Sequence, residues 1–383
     1  MTDRFETLAV HAGAEPDPET GAVVPAIQMS TTFKQDGVGN LRGGFEYGRS
    51  DNPTRRALEA AIAELEGAAH GFAYASGLAA TQNILYLTEP SDRVVLSDDV
   101  YGGTWRLADK VWRRYGIAVE PVDLTDLDAV ASAVRGARLV WIETPTNPML
   151  KVVDIAAVTR LARDAGALSV VDNTFATPFL QRPLEHGADL ILHSATKYLG
   201  GHSDVIGGLV ATSRDDLAER LRFHQNAAGA VPSPFDCWLV LRGIRTLAVR
   251  VERACANTHE VATWLASRAD VRSVNWPGLP DSPYRELAER QMRLPGAMLS
   301  FELDGDLDAA KRFVATTRLF TLAESLGAVE SLIELPAAMT HASVAGSPLA
   351  VPDGLVRLSV GIEAAEDLIA DLDAAFAAAH ASS

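Results

Sequence analysis

Between about residues 57 and 192, the chain alternates short apolar runs with stretches of helical periodicity. The apolar runs predict strands at Arg93–Ser97, Ala118–Val122, Leu139–Ile142, Leu168–Val171 and Leu190–Leu192. The periodic stretches predict helices at Ala57–Ala68, Tyr101–Tyr115, Leu127–Val134 and Ile155–Ala165. Strands that are buried on both faces read as continuous apolar runs, and parallel sheets covered by helices contain such strands. The pattern therefore predicts an α/β fold with a mainly parallel sheet.

The two ends of the chain follow other patterns. Residues 1–47 mix Gly and Pro with little periodicity, which predicts an extended arm. We place the large sheet domain at residues 48–245, ending inside a long predicted helix from about Phe235 to Ala269. Residues 246–383 then mix strands (Met298–Leu303, Val356–Val360) with helices (Leu307–Thr316, Ala364–Ala379), which predicts a smaller α+β C-terminal domain.

Composition narrows the class of protein. The formal net charge of −16 disfavours nucleic acid and anionic membranes as partners. No apolar run approaches the roughly 20 residues of a membrane helix, and the polar N-terminus lacks the apolar stretch of an export signal. The two cysteines, Cys237 and Cys255, are too few for a disulfide framework and lie in predicted helices as core thiols. We expect an acidic cytoplasmic enzyme without a metal site, because the histidines show no ligand spacing.

Polar residues that could take part in catalysis or ligand binding follow three of the predicted strands. Asn147 comes after the strand that ends at Ile142, Asp172 comes directly after Val171, and Lys197 follows Leu192 by five residues. In open parallel sheets, ligands bind beyond the carboxyl ends of the strands. One edge of the sheet is thus expected to gather an asparagine, an aspartate and one of only five lysines in the chain.

This set of residues matches what pyridoxal phosphate requires. A lysine bonds covalently to the cofactor, and a carboxylate pairs with its protonated ring nitrogen. Ser194 and Thr196 flank Lys197 and can donate hydrogen bonds to a phosphate. Ser76 and Gly77 open another predicted helix, whose free N–H groups and positive dipole end suit the same phosphate. Each feature alone is common in loops and caps, so their combination carries the prediction.

Other classes were weighed against this one. Ser194–Lys197 matches the Ser-x-x-Lys of serine acyl-transferases, but Ser50-Asp51-Asn52 precedes it instead of following, and the chain has no Lys-Thr-Gly. A nicotinamide or nucleotide enzyme lacks support, since neither Gly-x-Gly-x-x-Gly nor a phosphate-loop Gly-Lys-Ser/Thr occurs. A non-catalytic binding module stays open, and absence of the visible absorbance of bound cofactor would favour it.

Segments along essentially the whole chain resemble the transsulfuration enzymes of cysteine and methionine metabolism, the cystathionine γ-lyases, cystathionine γ-synthases and methionine γ-lyases. These segments are Phe45–Arg49, Asn52–Arg55, Ala75–Ala80, Asp99–Thr104, Glu143–Pro148, Val171–Phe175, Ser194–Gly201, Ala323–Gly327, Met339–Ser343 and Val356–Gly361. The resemblance implies a pyridoxal-phosphate aminotransferase-like large domain. It also implies a homotetramer built as a dimer of dimers, with the arm reaching a neighbouring subunit.

The resemblance also implies roles for individual residues. The catalytic residues are Lys197, Tyr101, which stacks on the cofactor ring, and Asp172. The cofactor-binding residues are Tyr47, Arg49, Ser76, Gly77, Leu78, Asn147, Thr174, Ser194 and Thr196, with Tyr47 and Arg49 reaching the phosphate of a neighbouring subunit. The substrate-binding residues are Arg357, which takes the carboxylate, and Ser325, Glu324, Glu46 and Arg106.

Of the three enzymes, cystathionine γ-lyase is the one that the segments Phe45–Tyr47 and Thr321–Ser325 resemble most. That enzyme releases cysteine, 2-oxobutanoate and ammonia from cystathionine. Cystathionine γ-synthase, which joins cysteine to an O-acylhomoserine, is the close alternative, and methionine γ-lyase is the third. Asp51 and Ala328 stand where the family usually has Gly, which bears on substrate preference. Gly103 stands where methionine γ-lyases often carry Cys, which disfavours that reaction.

Overall fold

Two β-sheets form the framework of the chain. The structure is a computed structural model that describes residues 3–340 and 351–380. The larger sheet has seven strands: β1 (His70–Tyr74), β2 (Arg93–Ser97), β3 (Ala118–Val122), β4 (Leu139–Glu143), β5 (Leu168–Asp172), β6 (Leu190–Ser194) and β7 (Gly208–Thr212). Their order across the sheet is β1-β7-β6-β5-β4-β2-β3, and only β7 runs antiparallel to its neighbours. The prediction of a mainly parallel sheet is confirmed.

Helices cover both faces of this sheet. The helices of this part of the chain are α1 (Phe5–His11), α2 (Pro53–Glu66), α3 (Gly77–Leu85), α4 (Gly102–Arg106), α5 (Leu127–Ala133), α6 (Ile155–Asp164), α7 (Thr177–Leu180), α8 (Asp215–Ala228), α9 (Pro234–Ile244) and α10 (Leu247–Ala266). Successive strand residues point to opposite faces. On β4, Leu139 and Trp141 therefore pack with α3 and α8, while Val140 and Ile142 pack with α5 and α6.

The second sheet has five strands in the order β10-β11-β12-β9-β8. These strands are β8 (Val271–Asn275), β9 (Met298–Leu303), β10 (Thr321–Leu322), β11 (Leu332–Glu334) and β12 (Leu355–Ser359), and the accompanying helices are α11 (Arg285–Gln291), α12 (Leu307–Thr316) and α13 (Ala365–His380). An aromatic cluster of Phe301, Phe313 and Phe376 fills the space between this sheet and α12 and α13. The predicted domain limits at residues 47 and 245 stay predictions.

Two predicted helices are interrupted. The helix expected at Tyr101–Tyr115 is α4 followed by a π-helical turn at Leu107–Val111 and a 3-10 turn at Trp112–Tyr115. The helix expected from Phe235 to Ala269 breaks between α9 and α10. Near that break Gly243 packs so closely that a Cβ there would lie 2.3 Å from the Gly200 carbonyl oxygen. The spacing of hydrophobic residues in the sequence does not reveal such local changes of helix type, because the buried positions keep a helical spacing across them.

Candidate active site

The last residues of three neighbouring strands point to one side of the large sheet. Glu143 ends β4, Asp172 ends β5 and Ser194 ends β6, and Glu143 pairs in register with Asp172. The alternation of side chains places all three on the face of the α3 cluster. A cavity of about 320 Å³ opens there, and all three residues line it.

Most residues predicted for the site line this same cavity. They are Lys197, Tyr101, Asp172, Ser76, Gly77, Leu78, Asn147, Thr174, Ser194, Thr196, Glu324, Ser325 and Arg357. They come from the edge of the large sheet, from the start of α3 and from the second sheet. The cavity therefore lies between the two sheets, and both halves of the chain contribute polar groups to it.

Lys197 lies in the cavity with its amine held in place. Its Nζ donates a hydrogen bond to Ser325 Oγ at 2.8 Å. Burial lowers the pKa of Lys197 to about 8, and the nearby Arg357 guanidinium acts in the same direction. An amine with such a pKa is partly neutral near pH 7, which a nucleophilic or basic lysine requires.

Asp172 is supported by the residues that follow it. Thr174 Oγ1 donates to Asp172 Oδ1 at 2.5 Å, and the Thr174 N–H donates to the same oxygen at 3.1 Å. The Ser194 N–H in turn donates to Thr174 Oγ1 at 2.8 Å, which ties β5 to β6 at the cavity edge. Burial raises the pKa of Asp172, and the two hydrogen bonds from Thr174 oppose that rise. A protonated ring nitrogen beside it would stabilise the charged form further.

Hydroxyls and free N–H groups converge at the start of α3. Ser76 caps this helix, and its Oγ accepts from the Ala79 N–H at 3.0 Å. A Cβ added to Gly77 would lie 3.0 Å from Ser194 Cβ, so a larger residue there would require Ser194 to shift. This is the cradle expected for a phosphate at a helix N-terminus. With the Lys197 amine and the Asp172 carboxyl in the same cavity, the residues present fit pyridoxal phosphate.

Arg357 is buried at the side of the cavity formed by the second sheet. It faces Glu334 across β12 and β11, and Nη1 lies 2.9 Å from Glu334 Oε1. The same nitrogen donates to Asn147 Oδ1 at 3.0 Å, and Nη2 donates to the Ser325 carbonyl at 2.8 Å. Burial lowers the pKa of Arg357 and Glu334 opposes that effect. The guanidinium is thus fixed where it can receive a carboxylate.

Four predicted site residues do not line the cavity. Tyr47 is 47% exposed, and Glu46 and Arg49 are exposed as well. Arg49 Nη1 donates to Asn226 Oδ1 at 2.7 Å, away from the cavity. Arg106 is exposed at the end of α4, although its charge lowers the pKa of Tyr101 against the stronger effect of burial. Of the segment Met339–Ser343, residues 341–343 lie outside the described residues, and Thr340 lines the cavity.

The sequence reading did not assign roles to Glu143 and Glu334, which the structure places at the site. Glu143 lines the cavity, and its Oε2 accepts from the Tyr101 N–H at 2.9 Å. Its position as the last residue of an apolar strand, like Asp172 on the next strand, is a signal that could have found it. Glu334 became visible only through its pairing with Arg357, which a single sequence does not reveal.

Within residues 3–340 and 351–380, no three or more His, Cys, Asp or Glu side chains are grouped in a way that could hold a metal ion. No helix in that part of the chain is long and apolar enough to cross a bilayer. Cys237 and Cys255 are buried free thiols, as predicted.

Comparisons with known proteins agree with this site. The protein-family model described as "Cys/Met metabolism PLP-dependent enzyme" matches residues 6–377 of the chain. A cystathionine γ-synthase of Mycobacterium tuberculosis is 55% identical over 371 residues, 96% of each chain. A cystathionine β-lyase of Coxiella burnetii is 50% identical over 377 residues, 97% of each chain. The crystal structure of a Lactobacillus plantarum cystathionine γ-lyase complexed with L-serine has a TM-score of 0.94 at 45% identity, covering 98% of this chain and 99% of that one.

Proposed function

This chain belongs to the pyridoxal-phosphate-dependent enzymes of cysteine and methionine metabolism, and we propose that its reaction takes place at the γ-carbon–sulfur bond of cystathionine. Membership of the family makes it a pyridoxal-phosphate enzyme that acts on sulfur amino acids. The relatives carry the names of several reactions, so the particular bond and direction are our proposal.

One observation carries the choice of cystathionine. The cavity contains Arg357, suited to an α-carboxylate, and also Glu324, a second charged group that the chemistry at Lys197 does not need. Cystathionine has a second amino-acid end with its own ammonium group. A charge-assisted hydrogen bond from that ammonium to Glu324 is worth about 1.5–3 kcal/mol. Methionine has no second ammonium, so Glu324 supports cystathionine over methionine.

The proposed mechanism assigns one task to each residue. Bound pyridoxal phosphate supplies an electron-accepting ring that stabilises negative charge on the substrate carbons. Lys197 would hold the cofactor, and its amine, once free, would remove and return protons at the substrate carbons. Asp172 pairs with the ring nitrogen. Arg357 would hold the α-carboxylate, and Tyr101 would stack on the ring and assist departure of the γ-substituent.

For the direction of the reaction, we put γ-replacement first. In that reaction cysteine adds to an O-acylhomoserine, and cystathionine and the free acid leave. The name of the 55% identical relative supports it. Cystathionine γ-elimination, which the sequence analysis placed first, is the second candidate, and the likeness to a structure named cystathionine γ-lyase is its support. Methionine γ-lyase remains the third.

We also propose that the working form is a homotetramer in which Tyr47 and Arg49 bind the cofactor phosphate of a neighbouring subunit. Both residues are exposed and lie outside the cavity of their own chain. An arginine pairs bidentately with phosphate, and its present partner, Asn226, is a neutral amide.

A product analysis tests the direction. Purified enzyme is supplied with O-succinyl- or O-acetylhomoserine plus cysteine, with cystathionine alone, or with methionine alone. Cystathionine, 2-oxobutanoate and methanethiol are then quantified. We expect cystathionine as the dominant product and weak release of 2-oxobutanoate. Rapid lysis of cystathionine with little synthesis would instead establish γ-elimination, and a preference for methionine would overturn the role given to Glu324.

A further inference from the structure

A second carboxyl group lies beside Asp172, and the proposed mechanism gives it no task. Glu143 and Asp172 are register partners at the ends of β4 and β5, and both line the cavity. Glu143 is 5% exposed. Neighbouring carboxyl groups on one face of a sheet repel each other when both are ionised, and burial strengthens that repulsion.

The two carboxyl groups have different partners. Asp172 accepts two hydrogen bonds from Thr174, which favour its ionised form. Glu143 accepts from the Tyr101 N–H. Burial, followed by the charge of Asp172, raises the pKa of Glu143 well above its ordinary value, and Asp99 adds to the rise. Burial and the charge of Asp172 thus both favour the protonated form of Glu143, whereas the two hydrogen bonds from Thr174 favour the ionised form of Asp172.

The contact from Glu143 fixes the one residue whose ring is proposed to lie over the cofactor. Tyr101 precedes α4, and its side chain does not cap that helix. The Tyr101 carbonyl accepts from the Trp105 N–H at 3.1 Å, while Glu143 Oε2 accepts its N–H at 2.9 Å. The ring lies against Gly103, where a Cβ would come within 2.4 Å of Tyr101 Cε1. Backbone and ring are thus constrained from different sides.

We propose that Glu143 is a positioning residue that anchors the Tyr101 backbone through the hydrogen bond accepted by its side-chain oxygen and so sets the orientation of the Tyr101 ring over the cofactor. The inference rests on the proposed role of Tyr101 but not on the direction of the reaction. Glu143 acts through the hydrogen bond that it accepts, and it neither removes a proton from the substrate nor pairs with a cation.

Two substitutions separate the hydrogen bond from the charge. Glu143→Met keeps the length of the side chain and removes the acceptor, whereas Glu143→Gln keeps an acceptor and is always neutral. For Met we expect the dissociation constant of pyridoxal phosphate to rise about tenfold, which is the upper part of what one aromatic stacking contact is worth. We also expect a lower kcat at nearly unchanged KM, and a changed visible circular dichroism of the bound cofactor. Gln should recover most of each loss.

Matched controls distinguish positioning from general destabilisation. Asp371 is a buried carboxyl that accepts backbone N–H groups of Arg318, Leu319 and Phe320, in the part of the chain that holds the second sheet. Asp371→Leu should lower the melting temperature and leave the visible circular dichroism unchanged. If Glu143→Met folds poorly, Glu143→Leu serves the same purpose, because it also lacks the acceptor.

A double-mutant cycle gives the decisive comparison. If Glu143 acts through Tyr101, then Glu143→Met costs little further cofactor affinity or kcat once Tyr101→Ala is present. Losses that multiply fully in the double variant would overturn the inference, and so would a Gln variant as impaired as the Met variant. Cofactor titration needs no substrate, so either failure is separate from a failure of the proposed reaction, which the product analysis alone decides.

Discussion

The edge of the large sheet and the N-terminal arm were both predicted to supply the site, and they behave differently in the structure. Lys197, Asp172 and Arg357 meet in one cavity within a single chain. Tyr47, at the end of the arm, and Arg49, just after it, do not reach it. The cavity of one chain therefore contains the predicted lysine, aspartate and substrate-binding arginine, but it lacks Tyr47 and Arg49.

The physical reason lies in how each region is held. The sheet edge is fixed by buried strands and by paired polar groups. From residue 13 to 51, by contrast, no residue is buried, and isolated bridges such as Thr32–Tyr47 connect the segment to itself. Ordering a backbone costs about 1–2 kcal/mol per residue, which burial normally offsets. An arm of this kind is expected to gain its order from the surface of another chain.

The largest expected effect concerns the sheet edge. Lys197→Ala should lose essentially all turnover together with the visible absorbance of bound cofactor, because no other group in the cavity can replace a covalent lysine. Lys311→Ala is the matched control, since this lysine is exposed and forms an ion pair with Asp308 at 3.3 Å, away from the cavity. An absorbance spectrum and a product assay suffice. A Lys197→Ala protein with normal absorbance would show that the lysine is wrongly assigned.

The free energy of unfolding tests how much the buried hydrogen bonds of Glu66 stabilise the edge of the large sheet. Glu66 Oε1 lies 2.5 Å from His193 Nε2 and accepts from Asn173 Nδ2 at 3.0 Å, all three being buried. Removing Glu66 leaves the buried hydrogen-bonding groups of its partners unsatisfied, which costs about 1–3 kcal/mol. Glu66→Ala should lower the free energy of unfolding in urea by about that amount. A loss below about 1 kcal/mol would mean that the edge is held in another way.

The arm should show the opposite behaviour. Arg49→Ala should weaken pyridoxal-phosphate binding by about ten- to a hundredfold, the value of a charge-assisted hydrogen bond, and leave the unfolding free energy nearly unchanged. Arg42, an arm arginine that pairs with Asp36, provides the control through Arg42→Ala. Fluorescence titration of the apoprotein measures the affinity. Equal pyridoxal-phosphate affinities of the Arg49→Ala and Arg42→Ala proteins would contradict a role of Arg49 in binding the cofactor.

The smallest effect is a pH dependence of the sheet edge. Burial, with Arg357, lowers the pKa of Lys197 to about 8. In the apoprotein, the rate of cofactor uptake should therefore rise with pH through a midpoint near 8, because only the neutral amine is nucleophilic. Because the pKa of Lys197 is lower in the folded apoprotein than in the unfolded chain, the folded apoprotein is destabilised below that midpoint. This destabilisation decreases as the pH rises toward the pKa that the lysine has in the unfolded chain. A midpoint above 10 would contradict the burial of the amine.

Much of the fold was readable from the sequence, because buried parallel strands leave continuous apolar runs. The convergence of Asn147, Asp172 and Lys197 followed from the rule that strand ends share one edge. The π-helical turn at Leu107–Val111 and the break between α9 and α10 were missed, since neither disturbs the apolar periodicity.

The roles of acidic residues were harder to predict. Glu143 and Glu334 act through partners that are distant in sequence, Tyr101 and Arg357, and one sequence does not show such pairing. The direction of the reaction is harder still, because synthesis and lysis of cystathionine call for the same charged groups in the cavity.

Subunit mixing tests the central comparison most directly. Lys197→Ala chains and Arg49→Ala chains are mixed under conditions that exchange subunits, and activity is assayed at a cofactor concentration well below the dissociation constant of the Arg49→Ala protein. A hybrid dimer joins an intact lysine in one chain to an intact arm in the other, so up to about a quarter of all sites should recover activity when symmetric dimers form at random. No recovery, while native mass spectrometry shows the hybrids, would contradict a site shared between two chains.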